Sequence, residues 1–309
     1  MSSQRSVAVI GSLNIDFVTR TSRIPQPGET LQAISFDTGF GGKGANQAVG
    51  AARLAGEDVK VRMIGAVGDD GFGSDYFEAL GKEGIDTSGI RRLKDEKTGV
   101  TNIVVDETGE NRIMFVANAN MKFDDSEDLV SDQEGDVVVF QLEIPFETVL
   151  YNMRKAREHG RHVMFNPAPA VKLPEDSYAN MDTLIMNETE AAILSGQAET
   201  SSDRDTLLQR CETFLRKGVR QAVVITLGGD GLVYATASGA SGHVSAHKVK
   251  VVDTTAAGDT FVGGYAVRRA RHVSGEFDYK QALEFATLAA SKTVKKHGAM
   301  AAIPYLKDL

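Results

Sequence analysis

The sequence predicts a doubly wound α/β fold, in which helices cover both faces of a mainly parallel sheet and a small β-sheet lid stands beside it. Short β-rich apolar runs alternate with helical patterns along the 309 residues, which is the element order of such folds. Several runs are almost continuously apolar, as in VVVF at 137–140 and VVIT at 223–226. Runs of this kind suit strands that are covered on both faces.

The elements of the main sheet follow from these runs. Strands are predicted at Val7–Gly11, Val61–Val67, Asp136–Leu142, His162–Asn166, Thr183–Met186 and Ala222–Leu227. Helices are predicted at Ala45–Leu54 and Glu147–Glu158, and glycines follow them at 56 and 160. Glycine just past the last turn is a common helix stop. Since no repeat, low-complexity stretch or linker divides the chain, residues 1–309 are predicted to form one domain.

Two segments, residues 14–40 and 98–118, break this alternation. The first contains no good helix, and ETLQAISFDTG within it alternates and turns. The second, TGVTNIVVDETGENRIMFVAN, has two β-rich runs around a turn at Thr108 and Gly109, which predicts a hairpin. Both segments fit an antiparallel patch outside the main sheet. We interpret this patch as a lid over a cleft, with a decorative edge extension as the alternative.

The bulk properties exclude several classes of protein. The net charge of −8 argues against a basic surface for nucleic acid or for an anionic membrane. The single cysteine, Cys211, excludes an internal disulfide and fits a reducing compartment. No apolar run approaches the roughly 18 residues of a membrane helix, and the N-terminus lacks the pattern of a signal peptide. We therefore expect a cytoplasmic protein, with a nuclear pool left open.

Residues 39–44, GFGGKG, have the glycine spacing of a dinucleotide-binding turn. Such a turn should follow the first buried strand, but that strand, VAVIG, is followed by no such cluster. We favour a second interpretation, in which GGKGAN opens the helix at Ala45 and its glycines let the backbone approach a small ligand. Lys43 and Asn46 would then supply a cation and an amide, whereas a glycine-rich turn with a solvated lysine is the alternative. The ATP-binding P-loop, zinc-ligand and serine-hydrolase patterns are absent.

The motif DTTAAGDT at 253–260 carries the most information. A helical run follows it, so Gly258 and Asp259 are predicted at a helix N-terminus, where free N–H groups and the helix dipole attract anions. Asp259 has two interpretations: a helix-capping acid, which is very common, or a general base that accepts a proton from a hydroxyl attacking a phosphate. The small residues Ala256 and Ala257 leave room for a ligand against the amides.

Polar side chains also lie at the ends of predicted strands. Asn14 and Asp16 follow the first strand, Glu143 ends VVVFQLE, and Asn187 ends LIMN. The carboxyl ends of strands are where open α/β sheets bind ligands. Asp16 could accept hydrogen bonds from two vicinal hydroxyls, although any one of these residues alone could be an ordinary turn residue. The set of four favours a binding site.

Two signatures and four motifs between them connect the chain with a known family. The N-terminal signature is GSLNID with PQPGET and GGKGANQAV, and the C-terminal one is DTTAAGDTFVGG. Between them come QLEIP, NPAPA, NETE and TLGGDG, in that order. Over nearly its whole length the chain thus resembles the PfkB carbohydrate kinase family, and the ribokinases within it. The resemblance implies a ribokinase-like fold with a β-sheet lid, phosphorylation of D-ribose by ATP, and a homodimer formed through the lids.

The resemblance also implies roles for individual residues. Asp259 matches the catalytic base that activates the 5-hydroxyl of the sugar, and the amides of Ala256, Ala257 and Gly258 match an anion hole. Besides this base, the sugar-binding positions are matched by Asn14, Asp16, Gly42, Lys43, Asn46 and Glu143. The nucleotide-binding positions are matched by Asn187, Thr226, Leu227, Gly228, Gly229, Asp230, Gly231, Gly258 and Thr287. Glu190 matches an acid that acts indirectly on the magnesium ion brought by ATP.

A monovalent-cation site is also implied, with potassium as the activator. Its matching positions are Asp253, Thr255, Thr293, Lys296, Gly298 and Ala302. Many ribokinases have a serine where Ala302 stands, and its hydroxyl contributes a ligand. Because alanine removes that oxygen, the expected activation by potassium is weaker here.

Other functions compete with ribose phosphorylation. Within the family these are deoxyribokinase, fructokinase and adenosine kinase. Outside catalysis, a related protein could bind sugar only as a sensor, but such a protein should have lost the base or the anion hole. Both motifs are intact in this chain, so an ATP-dependent kinase remains the favoured interpretation.

Overall fold

The computed structural model describes residues 5–130, 135–197, 200–201 and 203–309. These ranges contain two β-sheets. Their strands are β1 (Arg5–Ile10), β2 (Asn14–Arg20), β3 (Ser35–Gly41), β4 (Val59–Gly68), β5 (Asp86–Leu93), β6 (Gly99–Val105), β7 (Asn111–Val116), β8 (Val137–Phe140), β9 (His162–Phe165), β10 (Thr183–Asn187), β11 (Ala222–Thr226), β12 (Leu232–Thr236) and β13 (Ser241–Val244). The helices are α1 (Lys43–Ala55), α2 (Gly71–Lys82), α3 (Phe146–Glu158), α4 (Glu188–Ser195), α5 (Arg204–Lys217), α6 (Ala257–Arg271) and α7 (Tyr279–Thr293).

The larger sheet has the strand order β13-β12-β11-β10-β9-β8-β1-β4-β5. Neighbouring strands from β11 to β5 pair in parallel, whereas β12 pairs in antiparallel fashion with both β11 and β13. The six strands predicted from apolar runs are all present, each within two residues of its predicted bounds. The doubly wound prediction is therefore confirmed. The alternating pattern of HVSAHKVKVV, residues 243–252, predicts a strand up to the motif at 253, and this prediction is wrong because β13 ends at Val244.

Helices cover both faces of this sheet. One apolar core joins the strands to α1, α2, α6 and α7, and a second joins the opposite face to α3, α4 and α5. Burial on both sides explains why strands such as β8 and β11 read as continuous apolar runs. Within the described ranges, no helix combines the length and apolar character that a membrane span requires.

The smaller sheet contains β3, β2, β6 and β7 in that order. The strands come from the two segments that interrupt the α/β alternation, and β6 and β7 form the expected hairpin. The expectation of a purely antiparallel patch is wrong, since β2 and β6 pair in parallel. At the base of this sheet Asn14 lies opposite both Gly41 and Gly99, so three strands enter the small sheet at one place.

Helices α1 and α6 cross at a glycine contact beside the first strand. A Cβ atom on Gly263 would lie 2.6 Å from the amide nitrogen of Ala51 and 2.7 Å from the carbonyl oxygen of Gln47. Backbone atoms cannot give way as a flexible side chain can, so only glycine fits at this position. The crossing brings the first turns of the two helices together, although about 200 residues separate them in sequence.

Candidate active site

The candidate site lies where the strand order of the main sheet reverses. From β1 the sheet grows on one side through β4 and β5, and on the other side through β8 to β11. Loops at the carboxyl ends of the two central strands therefore diverge and leave a crevice, which is the usual ligand position in open α/β sheets.

A cavity of about 220 Å³ opens in this crevice. Residues from both sequence signatures and from the strand ends between them line it, including Lys43, Asn166, Asn187, Glu190, Thr226, Ala256, Gly258 and Asp259. A larger groove of about 740 Å³ lies between residues 243–247 and helices α6 and α7. Asp259 borders the smaller cavity, and we therefore assign the chemistry to that cavity.

Asp259 lies in the first turn of α6 and is only 8% exposed. Each of its carboxylate oxygens accepts a hydrogen bond from a side chain of α1. The side-chain Nδ2 of Asn46 donates to Oδ2 at 3.1 Å, and the side-chain Nε2 of Gln47 donates to Oδ1 at 3.0 Å. The glycine crossing at Gly263 is what brings α1 this close. Both carboxylate oxygens are thus held by α1, and the side chain lines the cavity.

The turn before α6 and the first turn of that helix line the same cavity with Thr254, Ala256 and Gly258. The helix begins after Ala256, whose backbone is left-handed, with φ of 59° and ψ of 7°. That conformation costs roughly 1–2 kcal/mol for a residue with a Cβ atom, and such strain is common at ligand-binding turns. The first amides of a helix lack intrahelical acceptors. Here the amide of Ala257 donates a longer bond, 3.3 Å, to the carbonyl of Thr254.

Lys43 and Glu143 face each other across the start of α1. The carboxylate of Glu143 accepts hydrogen bonds from the backbone amide of Lys43 at 2.9 Å and from the hydroxyl of Ser12 at 2.5 Å. Burial disfavours the charged form of the lysine, but the negative charges of Asp259, Glu143 and Glu190 together raise the pKa of Lys43 above its ordinary value. A cation therefore persists in the cavity at neutral pH.

Asn14 and Asp16 lie where the small sheet begins. The side-chain amide of Asn120 donates to Oδ1 of Asn14 at 2.8 Å. Asp16 is buried, and this burial raises its pKa from 3.8 to about 6, with further contributions from the charges of Glu143 and Asp259 and an opposing hydrogen bond from Thr101. A Cβ on Gly41 would overlap the Asp16 carboxylate, so glycine there makes room for it. Asp16 is thus a buried acid whose negative charge is stabilised by little more than the hydrogen bond from Thr101.

The polar groups on the other side of the cavity come from β10 and β11. Asn187 caps α4: its side chain accepts from the amide of Glu190, and Glu190 accepts from the amide of Asn187, both at 2.8 Å. Burial raises the pKa of Glu190, although Lys43 partly offsets this. Thr226 ends β11 and is followed by the turn at 228–230. Thr287 is buried on α7, where its hydroxyl bonds to the carbonyl of Leu283.

The six positions implied for a cation lie in two adjoining loops and the end of α7. Asp253 joins the loops: its Oδ1 accepts from the amide and hydroxyl of Thr255 at 2.9 and 2.7 Å, and its Oδ2 accepts from the amide of Gly298 at 3.0 Å. The Thr293 hydroxyl instead contacts Thr260 at 2.8 Å, while the Thr293 carbonyl accepts from the amide of Lys296. Ala302 is fully buried and has no side-chain oxygen.

Several polar residues of this site are not among those predicted from the sequence: Ser12, Gln47, Asn120, Gln141 and Asn166. Gln47 stands inside GGKGANQAV, next to a residue that was selected. Gln141 and Asn166 directly follow β8 and β9. Both residues lie at the carboxyl end of a strand, as Asn187 does, and this position is the signal by which they could have been predicted.

Comparison with known proteins agrees with this architecture. The model of the pfkB family carbohydrate kinases matches residues 4–306. Ribokinase of Schizosaccharomyces pombe is 42% identical over 98% of this chain and 96% of its own length, and deoxyribokinase of Salmonella typhi is 35% identical over 98% and 96%. The solved structure of Arabidopsis thaliana ribokinase complexed with ribose and ATP superposes with a TM-score of 0.87, at 30% identity over 98% of this chain and 96% of that one. The chain therefore belongs to the pfkB family of carbohydrate kinases.

Proposed function

We propose that this chain transfers the γ-phosphate of ATP to the 5-hydroxyl of D-ribose. One observation carries the proposal: the Asp259 carboxylate is fixed by two side-chain amides at the N-terminus of α6, in a cavity that also contains Lys43. A held carboxylate at the N-terminus of a helix, where the first amides lack intrahelical acceptors, is suited to take a proton from a hydroxyl that attacks a phosphate. A capping role alone would not require Asn46 and Gln47 to reach across from another helix.

In the proposed reaction, Asp259 accepts the proton of the 5-hydroxyl as its oxygen bonds to the γ-phosphorus. The bond from that phosphorus to the bridging oxygen breaks, and ADP leaves. Phosphoryl transfer depends mainly on positioning and on stabilising the charge of the transferred group. The first-turn amides of α6 and the cation of Lys43 would do this from two sides of the cavity.

The other positions implied by the family resemblance supply the remaining proposed subsites. Asn14, Asp16 and Glu143 would bind the sugar hydroxyls, since Asn14 and Asp16 begin the strand β2 of the small sheet and the charges of Glu143 and Asp259 act on Asp16. The nucleotide would extend along Asn187 and residues 226–231 toward Thr287. No group of three acidic, histidine or cysteine side chains suited to a metal occurs in the described ranges. A magnesium ion brought by ATP would be held chiefly by the phosphates, with Glu190 acting on it indirectly.

The choice of ribose is supported by the ribokinases among the relatives, while the deoxyribokinase at 35% identity is the main alternative. An ATP-consumption assay with ribose, 2-deoxyribose, fructose and adenosine distinguishes them. We expect the highest kcat/KM with ribose and a product phosphorylated at the 5-position. A preference for 2-deoxyribose would replace the proposed substrate within the same chemistry. The proposed function would be contradicted if none of these substrates, at saturating concentration, led to ATP consumption.

We further propose that potassium activates this enzyme through the loops that Asp253 joins. The carboxylate charge and nearby carbonyls suit a hard cation, and affinity rises with the number of oxygen ligands. Ala302→Ser adds one hydroxyl, and we expect it to lower the half-activating potassium concentration severalfold. Titration of the rate with potassium chloride, at ionic strength held constant with tetramethylammonium chloride, measures this. Equal rates with and without potassium in both proteins would remove the cation from the proposal.

The small sheet is proposed to act as a lid. Asp16, Thr101 and Phe115 lie opposite one another across β2, β6 and β7, and so share one face of that sheet. A sugar bound by Asp16 would contact this face, which favours closure over the cavity and exclusion of water. Ribose alone should therefore slow hydrogen exchange of residues 99–116 more than ATP alone does.

The same sheet is also the proposed dimer interface. Every residue of β7 is exposed, although Ile113, Met114, Phe115 and Val116 are large and apolar. Contiguous exposed apolar surface commonly marks an interface, and an unpaired edge strand invites pairing with another chain. A second copy of this chain would cover both features.

Replacing Ile113 and Met114 together by lysine should dissociate this dimer, because like charges would meet across it. Sedimentation velocity should show mainly monomer at a concentration where the unchanged protein is dimeric. Val171→Lys with Val273→Lys is the matched control, since both valines are exposed apolar residues outside the small sheet. A dimer that persists in the Ile113 and Met114 variant would exclude β7 as the interface.

A further inference from the structure

A chain of buried side-chain amides leads away from the carboxylate that is proposed as the base. The Nε2 atom of Gln47 donates to Oδ1 of Asp259 at 3.0 Å and to Oδ1 of Asn166 at 3.1 Å. The oxygen of Gln47 accepts from Gln141 at 2.6 Å, and Asn166 donates to the backbone carbonyl of Ile185 at 3.0 Å. Gln47 and Gln141 are completely buried.

The direction of these hydrogen bonds is fixed at both ends. An ionised carboxylate only accepts, so the group of Gln47 that faces Asp259 must be its NH₂. The oxygen of Gln47 then faces Gln141, which must donate. At the other end, the Ile185 carbonyl can only accept, so the oxygen of Asn166 faces Gln47. Both protons of the Gln47 amide are therefore used, and its side chain has one permitted orientation.

The two oxygens of Asp259 consequently have different surroundings. Oδ1 is bonded to Gln47, which is anchored to Gln141 after β8 and, through Asn166 after β9, to the backbone of β10. Oδ2 is bonded to Asn46, whose own oxygen is buried without a hydrogen-bond partner among the described residues. Asn46 can exchange this contact for one with a ligand, whereas Gln47 cannot move without breaking three hydrogen bonds.

We propose that Gln47 is a positioning residue: it fixes the rotation of the Asp259 carboxylate, so that Oδ2 is the atom that receives the substrate proton. This inference rests on the proposed function, because it assigns a task to the same carboxylate. A carboxylate free to rotate would spend much of its time with neither oxygen aligned. Small misplacements of a catalytic group lower the rate strongly, without a comparable effect on substrate binding.

The test is a double-mutant cycle of Gln47→Met and Asp259→Asn, measured with ribose and ATP. Methionine keeps nearly the same shape but cannot donate. A hydrogen bond to a charged group is worth about 1.5–3 kcal/mol, so we expect kcat to fall roughly 10- to 150-fold, with both KM values within about threefold. When Asp259 is already replaced, Gln47→Met should lower kcat by less than about twofold, since no base remains to be positioned.

Asn152→Leu is the matched control, because it removes the hydrogen bonds of an equally buried side-chain amide on α3 that does not contact Asp259 or Gln47. Its melting temperature should fall about as much as that of Gln47→Met, and its kcat should fall much less. Equal loss of kcat in the two variants, or the full loss for Gln47→Met in the Asp259→Asn background, would overturn the positioning role. If Gln47→Met does not fold, Gln47→Asn replaces it, since the shorter amide remains polar but cannot reach Asp259.

A crystal structure of the Gln47 variant provides a readout that does not depend on the substrate. We expect the Asp259 carboxylate to leave its present rotation and to lose the alignment of Oδ2. An unchanged carboxylate in the variant would overturn the inference even if ribose is the true substrate. Conversely, a rotated carboxylate in a protein that phosphorylates another sugar would support the inference and contradict only the choice of ribose.

Discussion

Asp259→Asn is expected to lower kcat by about 10²–10⁴-fold, the usual effect of removing a general base. The amide keeps the size of the carboxylate but cannot take up the proton of the sugar hydroxyl. Ribose affinity should change much less, because the other sugar contacts remain. Isothermal titration with ribose and steady-state kinetics with saturating ATP measure the two effects separately.

The fold should tolerate this change for a reason visible in the site. In the unchanged protein both oxygens of Asp259 accept from amides, so a new NH₂ group would face a donor. Asn46 can turn its side chain over and present its oxygen, which has no partner at present among the described residues. Turnover above half of the original value, with chemistry rate-limiting, would reduce Asp259 to a helix cap and contradict the mechanism.

Asp16→Ala is expected to raise the ribose KM by roughly 10- to 150-fold, since a charged hydrogen bond is worth about 1.5–3 kcal/mol. The ATP KM should stay within a few-fold, because Asp16 lies at the base of the small sheet, away from the nucleotide positions. For the unchanged protein, the raised pKa of Asp16, about 6, predicts a pH dependence. The ribose KM should rise as the pH falls through 6, because the carboxylate becomes protonated.

The raised pKa of Asp16 also predicts that replacing this residue changes the stability of the fold and the binding of ribose in opposite directions. Its pKa is higher in the folded protein than its ordinary value of 3.8, so the ionised form destabilises the fold at pH values above 6. This cost, about 3 kcal/mol, disappears as the pH falls below about 4. Asp16→Asn should therefore raise the melting temperature at pH 8 by roughly 5 °C while weakening ribose binding. A lower melting temperature together with equal damage to both KM values would indicate misfolding instead.

Much of the main sheet could be predicted because its strands are buried on both faces. Val137–Phe140 is apolar at every position, and so it reads as a strand without knowledge of its neighbours. The pairing of β2 with β6 could not be predicted in this way, since it depends on which distant segment arrives beside Asn14. Strand direction in the small sheet is a tertiary property, and no local pattern encodes it.

The candidate site was predictable to the extent that its residues lie at strand ends and at helix N-termini. Asp259 and Asn187 are such residues, and each follows a recognisable local signal. The contact between Gln47 and Asp259 is different, because it exists only where α1 and α6 cross. Gly263 permits that crossing, but a glycine within a helical run does not reveal which backbone will pack against it.

The crossing of α1 and α6 also bears on how the chain folds. Asn46 and Gln47 lie 213 and 212 positions before Asp259 along the chain. Contacts of such separation require closure of a very long loop and tend to form late, after partly ordered intermediates that are common in proteins of this size. During synthesis, the ribosome must release α6 before α1 can acquire its partner. A nascent or partly folded molecule would lack the contact that aligns the carboxylate, and we expect it to consume ATP much more slowly than the completely folded protein.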